Sequence, residues 1–187
     1  MGGFHVVQGK EVRVAISGRS GCGNTTVSRL LAEILDIAFI NYTFRSLSQE
    51  TGMPLSEIIE KAKTDFTFDR QVDTRQVALA QEASCVLGSR LAIWMLEKAD
   101  LTVYLIASEE VRAKRISNRE GASIQETISF TAMRDAEDTR RYRELYGIDN
   151  TNYSFADMVI DTEQKNPEEI VSDILQELEK RGLVARD

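Results

Sequence analysis

The sequence contains a glycine-rich segment, Gly18-Arg19-Ser20-Gly21-Cys22-Gly23-Asn24-Thr25-Thr26, on which the interpretation of the whole chain rests. The apolar run Val12–Ile16 before it predicts a short buried strand, and apolar residues at helical spacing over 27–35 predict a helix after it. Glycines between a strand and a helix let backbone N–H groups face phosphate oxygens beside the helix N-terminus. This setting predicts a P-loop, with Thr25 placed to ligate Mg²⁺.

The segment departs from the P-loop pattern G-x-x-x-x-G-K-[ST] at one position, because Asn24 stands where lysine reaches the β- and γ-phosphates. An amide carries no charge, and losing one positioned transition-state donor costs on the order of 2.7–4 kcal/mol. The backbone donors and the Thr25 hydroxyl remain, so nucleotide binding is expected, with impaired phosphoryl transfer as the alternative to full activity. A flexible surface turn would leave the glycine spacing unexplained.

Length and composition indicate an ordinary globular protein. A chain of 187 residues is expected to form one domain with its own core. It lacks an apolar run of membrane-span length, and residues 1–10 lack the features of a signal peptide, so a cytoplasmic protein is expected. Two cysteines are too few for a disulfide framework. The net charge of −7 disfavours nucleic-acid and membrane partners, whereas arginines can still bind small anions locally.

Apolar runs alternate with helical patterns along the chain, which predicts an α/β fold with a parallel sheet covered on both faces. Further strands are predicted at 38–40, 85–87, 101–107 and 158–160. Helices are predicted over 44–62 with a break at 52–54, and over 69–83, 91–96, 108–119, 123–142 and 166–178. In such sheets the ligand binds at the carboxyl ends of the strands.

Arginines cluster in the second half of the chain. Arg112, Arg115 and Arg119 share one face of a predicted helix, and Arg134, Arg140, Arg141 and Arg143 follow the break at Gly121. If the polar segment 121–141 folds over the P-loop as a lid, these cations would neutralise the transferring phosphoryl group and exclude water. The alternative is a solvated helix pair with surface ion pairs among Asp135, Glu137 and Asp138.

A second nucleotide is expected between the second and third predicted strands. Arg70 and Asp73 share a helix face there, with Arg45 upstream and Arg90 downstream. Asp73 would accept a hydrogen bond from an exocyclic amine while Arg70 or Arg90 binds a phosphate. The alternative is a structural ion pair between Arg70 and Asp73.

The chain resembles the cytidylate kinases, particularly the short archaeal type that phosphorylates CMP and dCMP. The segments that carry the resemblance are GRSGCGNTT, FDRQVDTRQV, LGSRLAIWML, ADLTVYLIA, EVRAKRISNREG and RRYRELYGID. The resemblance implies a P-loop NTPase fold with a five-stranded parallel sheet of order 2-3-1-4-5 and an arginine-rich helical lid. It also implies a single domain over 1–187, with the core at about 11–187, nucleoside monophosphate-binding helices at about 43–83 and the lid at about 119–141.

The resemblance implies roles for particular residues as well. ATP would contact 18–26, with Mg²⁺ at Thr25, and CMP would contact Arg45, Arg70, Asp73 and Arg90. Lid contacts to phosphate would come from Arg115, Arg119, Arg134, Arg140 and Arg141. Catalysis would consist mostly of positioning and charge neutralisation, because the nucleophile is already an anionic phosphate.

The sequence therefore predicts a kinase that transfers the γ-phosphate of ATP to CMP or dCMP. Its partners would be small nucleotides rather than nucleic acid or membrane, and it would be a monomer or a weak homo-oligomer. Asn24 motivates a first alternative, a nucleotide-binding pseudokinase or sensor. Asn41-Tyr42-Thr43 stands where family members often have a Gly-Asp pair, which motivates a second alternative, a P-loop kinase for another small substrate.

Overall fold

The computed structural model describes residues 3–187 of the chain. The strands are β1 (Phe4–Val6), β2 (Arg13–Gly18), β3 (Ala38–Ile40), β4 (Cys85–Gly88), β5 (Leu101–Ile106), β6 (Met158–Asp161) and β7 (Val184–Arg186). The helices are α1 (Asn24–Leu35), α2 (Phe44–Thr51), α3 (Leu55–Lys61), α4 (Thr67–Glu82), α5 (Ala92–Met95), α6 (Glu109–Glu120), α7 (Ile124–Tyr146) and α8 (Pro167–Lys180).

The central sheet has five parallel strands in the order β3-β4-β2-β5-β6. This is the predicted order 2-3-1-4-5 when the five predicted strands are numbered along the chain, so the predicted fold is confirmed. β2 is the central strand and is almost wholly buried. The P-loop therefore starts from the middle of the sheet, where the strand that precedes it is supported on both sides.

Successive residues of β2 pack on opposite faces of the sheet, as the two-residue period of a strand requires. Val14 and Ile16 pack in a core with α1 and α8, which bury Leu31 and Ile174 there. Ala15 packs on the other face in a second core formed by α4, α5 and the neighbouring strands. Helices on both faces hold the sheet between two apolar layers, as the sequence predicts for a parallel sheet.

A small antiparallel pair, β1 with β7, joins the two ends of the described chain, and Val6 pairs with Val184. The ring Nδ1 of His5 lies 2.7 Å from a carboxylate oxygen of Asp187. Sequence analysis predicts neither strand, because each contains a polar or charged residue and neither forms an apolar run.

Helix boundaries differ slightly from the predicted ones. α4 begins two residues earlier than predicted, and α7 continues to Tyr146, where Gly147 ends it in the left-handed conformation at φ 68°. No helix among residues 3–187 has the length and apolar character needed to cross a bilayer.

Candidate active site

A cavity of about 1040 Å³ opens at the carboxyl ends of β2 and β4, at the edge of the sheet where the sequence predicts a ligand. Every residue of the predicted P-loop, 18–26, lines it. The opposite wall comes from the segment 41–45, α3 and α4, and arginines of α6 and α7 line the remainder. Its volume is at the upper end of the range for small-molecule sites, which suits a site for two nucleotides.

Two glycines give the P-loop its conformation. Gly21 adopts φ 87°, and a Cβ there would lie 2.8 Å from the backbone oxygen of Arg112, so only glycine fits where α6 packs on the loop. Gly23 is the N-cap of α1 at φ 99°, and no side chain caps this helix. The first-turn N–H groups of α1, which lack intrahelical partners, are thus left for a ligand.

Asn24 closes the P-loop on itself. Its Nδ2 donates to the backbone oxygen of Gly18 at 2.6 Å, whereas its Oδ1 is buried without a hydrogen-bond partner among residues 3–187. A Cβ at Gly18 would lie 2.6 Å from that Oδ1, so the glycine makes room for the asparagine. The side chain at the lysine position therefore stabilises the loop and supplies no charge.

Seven cationic side chains line the cavity: Arg19, Arg45, Arg90, Arg115, Arg119, Arg134 and Lys165. Arg115 is held beside the P-loop by three hydrogen bonds. Its Nη1 donates to the Gly21 oxygen at 3.2 Å and to the Thr162 hydroxyl at 2.9 Å, and its Nη2 donates to the Thr162 backbone oxygen at 2.6 Å. The guanidinium is thus positioned before any ligand binds.

A buried ion pair connects the P-loop to the predicted lid. Nη2 of Arg112 lies 2.7 Å from Asp135 Oδ2, and both side chains are at least nine-tenths buried. Nη1 of Arg112 donates to the Ser20 backbone oxygen at 3.1 Å. Asp135 is therefore no surface ion-pair residue, and the carbonyl of Ser20 is turned toward α6.

Arg90 lies between the P-loop and α7. Its guanidinium is 3.0 Å from Asp138 Oδ2 and donates to the Ser20 hydroxyl at 3.2 Å. Burial, together with the neighbouring charge of Arg90, lowers the pKa of Arg134. The pKa of Arg90 is instead raised, because Asp138 and Tyr142 outweigh the effect of burial. An anionic phosphate beside Arg134 would stabilise its charged form.

The structure does not bring three of the predicted site residues, Arg70, Arg140 and Arg141, to the cavity wall. Arg70 is exposed on α4. The exposed Arg140 pairs with Glu137 at 2.7 Å and Glu144 at 2.8 Å, one turn away on either side. Arg141 instead binds α4 and the end of α3, through Asp69 and the backbone oxygen of Ala62 at 2.7 Å.

Asp73 does line the cavity, and two donors hold its carboxylate. Tyr146 donates to Oδ2 at 2.7 Å, and Nε2 of Gln76 donates to Oδ1 at 3.1 Å. These contacts take the place of the ion pair with Arg70 that sequence analysis kept as an alternative. Burial raises the pKa of Asp73 to about 6, and the hydrogen bond from Tyr146 opposes that shift.

The raised pKa predicts how an isosteric variant changes stability. The native state binds a proton at Asp73 more tightly than the unfolded chain does. The contribution of Asp73 to the free energy of unfolding therefore falls as the pH rises from about 4 through 6. We expect the free energy of unfolding of Asp73→Asn, taken relative to that of the wild type, to increase by about 2–3 kcal/mol between pH 4 and pH 7, at about 1.36 kcal/mol per pKa unit. Urea unfolding of both proteins across this range measures the gain, and a constant difference would contradict it.

Several cavity residues are absent from the sequence-based site, among them Gln76, Tyr142 and Lys165. Gln76 could have been found, because it lies one turn after Asp73 on the same helix face. Tyr142 and Lys165 give no such signal, since only the fold brings α7 and the start of α8 to the P-loop.

Thr25 fits a Mg²⁺ site. Its exposed hydroxyl lines the cavity at the start of α1 and accepts only a long hydrogen bond, 3.4 Å, from Asn41. The described residues contain no cluster of three His, Cys, Asp or Glu side chains suited to a metal. Mg²⁺ does not require one, because it commonly combines a single protein oxygen with waters and substrate phosphates.

This chain resembles known proteins both in fold and in sequence. It superimposes on shikimate kinase from Acinetobacter baumannii with a TM-score of 0.63 and 22% identity, covering 93% of this chain and 96% of the other. At that identity the likeness concerns the fold alone.

The chain belongs to the cytidylate kinase-like family, whose profile matches residues 13–164. It is 44% identical over 176 residues to cytidylate kinase 2 of Borreliella burgdorferi, covering 92% of this chain and 98% of the relative. It is also 40% identical over 157 residues to cytidylate kinase of Pyrococcus abyssi, covering 83% and 87%.

Proposed function

We propose that the protein is a nucleoside monophosphate kinase of the cytoplasm that transfers the γ-phosphoryl group of ATP to CMP or dCMP. The observation that carries the proposal is a single cavity that is lined by the P-loop, by a carboxylate–amide pair on α4 and by arginines of α6 and α7. Membership of the cytidylate kinase-like family supports the same reaction.

ATP would bind on the P-loop side of the cavity. The uncapped start of α1 would donate backbone N–H groups to its phosphates, and the Thr25 hydroxyl would hold Mg²⁺. The metal neutralises charge on the β- and γ-phosphates when it is bound. Arg112 supports this arrangement by keeping the Ser20 carbonyl turned toward α6.

The reaction would be an in-line displacement. An oxygen of the CMP phosphate forms a bond to the γ-phosphorus while the bond from that phosphorus to the β–γ bridging oxygen breaks, giving CDP and ADP. No general base is required, because the attacking oxygen is anionic. Arg90, Arg115 and Arg134 would stabilise the transferring group. Arg115 lies beside the loop and would provide the positive charge that Asn24 lacks.

Turnover of the purified protein with ATP and Mg²⁺ tests this proposal. CMP, dCMP, UMP, AMP and GMP are each offered in a coupled assay, with calorimetric titration of ATP and CMP alongside. We expect turnover to be confined largely to the cytidine nucleotides. Efficient turnover of a different nucleotide, or none, would contradict the proposal.

One observation favours a second candidate, a nucleotide sensor without kinase activity. The Asn24 side chain is committed to the Gly18 carbonyl and cannot reach a phosphate as lysine does. This candidate predicts that ATP and CMP bind without forming CDP, and that Asn24→Lys introduces turnover. The calorimetric and kinetic measurements together distinguish the two.

A further inference from the structure

Gln76 is a residue of the cavity wall with a buried side-chain acceptor. Its side chain lines the cavity wall although the residue is only 2% exposed. Its Oε1 has no hydrogen-bond partner in the part of the chain that the structure describes. An unpaired buried acceptor is unfavourable, and a ligand that donates to it would recover that loss.

The orientation of the Gln76 amide is fixed by its neighbours. Asp73 Oδ1 accepts from Nε2 of Gln76, and Oδ2 accepts from the Tyr146 hydroxyl. An ionised carboxylate only accepts, so a flipped amide would set Oε1 against Oδ1 with no proton between them. The chain of hydrogen bonds from Tyr146 through Asp73 therefore leaves Oε1, and not Nε2, free for a ligand.

The surroundings of this acceptor suit a flat ring with a polar edge. The cavity is also lined by aromatic and aliphatic side chains of the segment 41–45 and of α3 and α4, namely Tyr42, Phe44, Leu55, Ile59 and Val72. Val72 lies one turn before Gln76 on the same face of α4 and packs in one cluster with Tyr42 and Phe44. A nucleobase offers apolar faces to such walls and donors or acceptors along its edge.

Resting on the function proposed above, we propose that Gln76 is a specificity-determining residue whose Oε1 accepts a hydrogen bond from the exocyclic amine of cytosine. Uracil carries a carbonyl at that position, and two acceptors would then face each other without a proton. The site thus favours CMP over UMP by an attractive contact with one and a repulsive contact with the other. Asp73, which sequence analysis gave this contact, acts as a positioning residue.

The test compares Gln76→Met with a matched control, Gln71→Met, an exposed residue of the same helix outside the cavity. Methionine keeps the length of glutamine without its acceptor. We expect Gln76→Met to lower kcat/KM for CMP by about 10- to 100-fold, the range of one buried hydrogen bond, and not to lower kcat/KM for UMP, because the repulsive contact with uracil is also removed. Gln71→Met should keep the wild-type CMP-to-UMP ratio.

Asp73→Asn provides a second, independent variant. The new amide would donate to Gln76, so the Gln76 side chain should turn and present Nε2 to the base. We expect kcat/KM to fall for CMP and to rise for UMP by about 3- to 10-fold, because a donor now faces the uracil carbonyl. A purely structural role of Asp73 would lower both together. This variant also keeps the inference testable if Gln76→Met does not fold.

The outcomes separate this inference from the proposed function. A wild-type protein that favours CMP, with Gln76→Met keeping the same CMP-to-UMP ratio, would overturn the role of Gln76 alone. If the wild type binds CMP without turnover, the ratio of the calorimetric Kd values for CMP and UMP is compared between the wild type and Gln76→Met instead. A wild type that binds no pyrimidine monophosphate would overturn both.

Discussion

Replacing Asp135 with asparagine is expected to lower the free energy of unfolding by about 3–5 kcal/mol, the usual cost of removing one partner of a buried ion pair. The variant leaves the guanidinium of Arg112 buried without a counter-charge, since Arg112 is 3% exposed and 2.7 Å from Asp135. Denaturant unfolding of the two proteins measures the difference. A loss below about 1 kcal/mol would show that the pair is solvated rather than buried.

Two further variants separate charge from packing. Glu137→Gln breaks an exposed pair on the same helix and should cost no more than about 1 kcal/mol. Arg112→Met combined with Asp135→Leu should be more stable than Asp135→Asn, because neither charge remains buried. We expect the double variant to bind ATP more weakly than the wild type, since nothing then holds the Ser20 carbonyl toward α6.

The second large effect is expected at Arg115. Arg115→Met should lower kcat for CMP phosphorylation by about 10²–10³-fold, the range for one positioned donor to a transition state. The three hydrogen bonds to Gly21 and Thr162 fix the guanidinium, so its charge requires little reorganisation during the reaction. Steady-state kinetics at saturating ATP and CMP provide the measurement.

Lys114→Met is the matched control for that variant, because it removes an exposed cation next to Arg115 that does not line the cavity. It should keep kcat within about twofold. Equal activity of Arg115→Met and Lys114→Met would mean that Arg115 only supports the loop. Thermal unfolding of both variants checks that any loss of activity is not a loss of folded protein.

The sequence predicts the P-loop and the sheet well because these depend on local patterns. The apolar run before Gly18 and the helical spacing after Thr26 place the loop on the central strand. The β1–β7 pair escapes prediction because it depends on an encounter between distant three-residue segments.

The sequence pattern does not determine which arginines lie at the site. Arg115 and Arg140 both lie in polar helices, and only the packing of α6 on the P-loop separates them. A partial signal existed for Arg140, since Glu137 and Glu144 flank it at i−3 and i+4 and favour surface pairing. Arg112 and Asp135 lie on different helices, so no local pattern indicates that they form a buried pair.

³¹P NMR of the wild-type protein with ATP, Mg²⁺ and CMP tests the claim that this site, with asparagine at the lysine position, still transfers a phosphoryl group. We predict that CDP and ADP form in equal amounts and that Thr25→Val, which removes the hydroxyl for the metal, slows their formation sharply. ATP and CMP that bind but yield no CDP would contradict the claim.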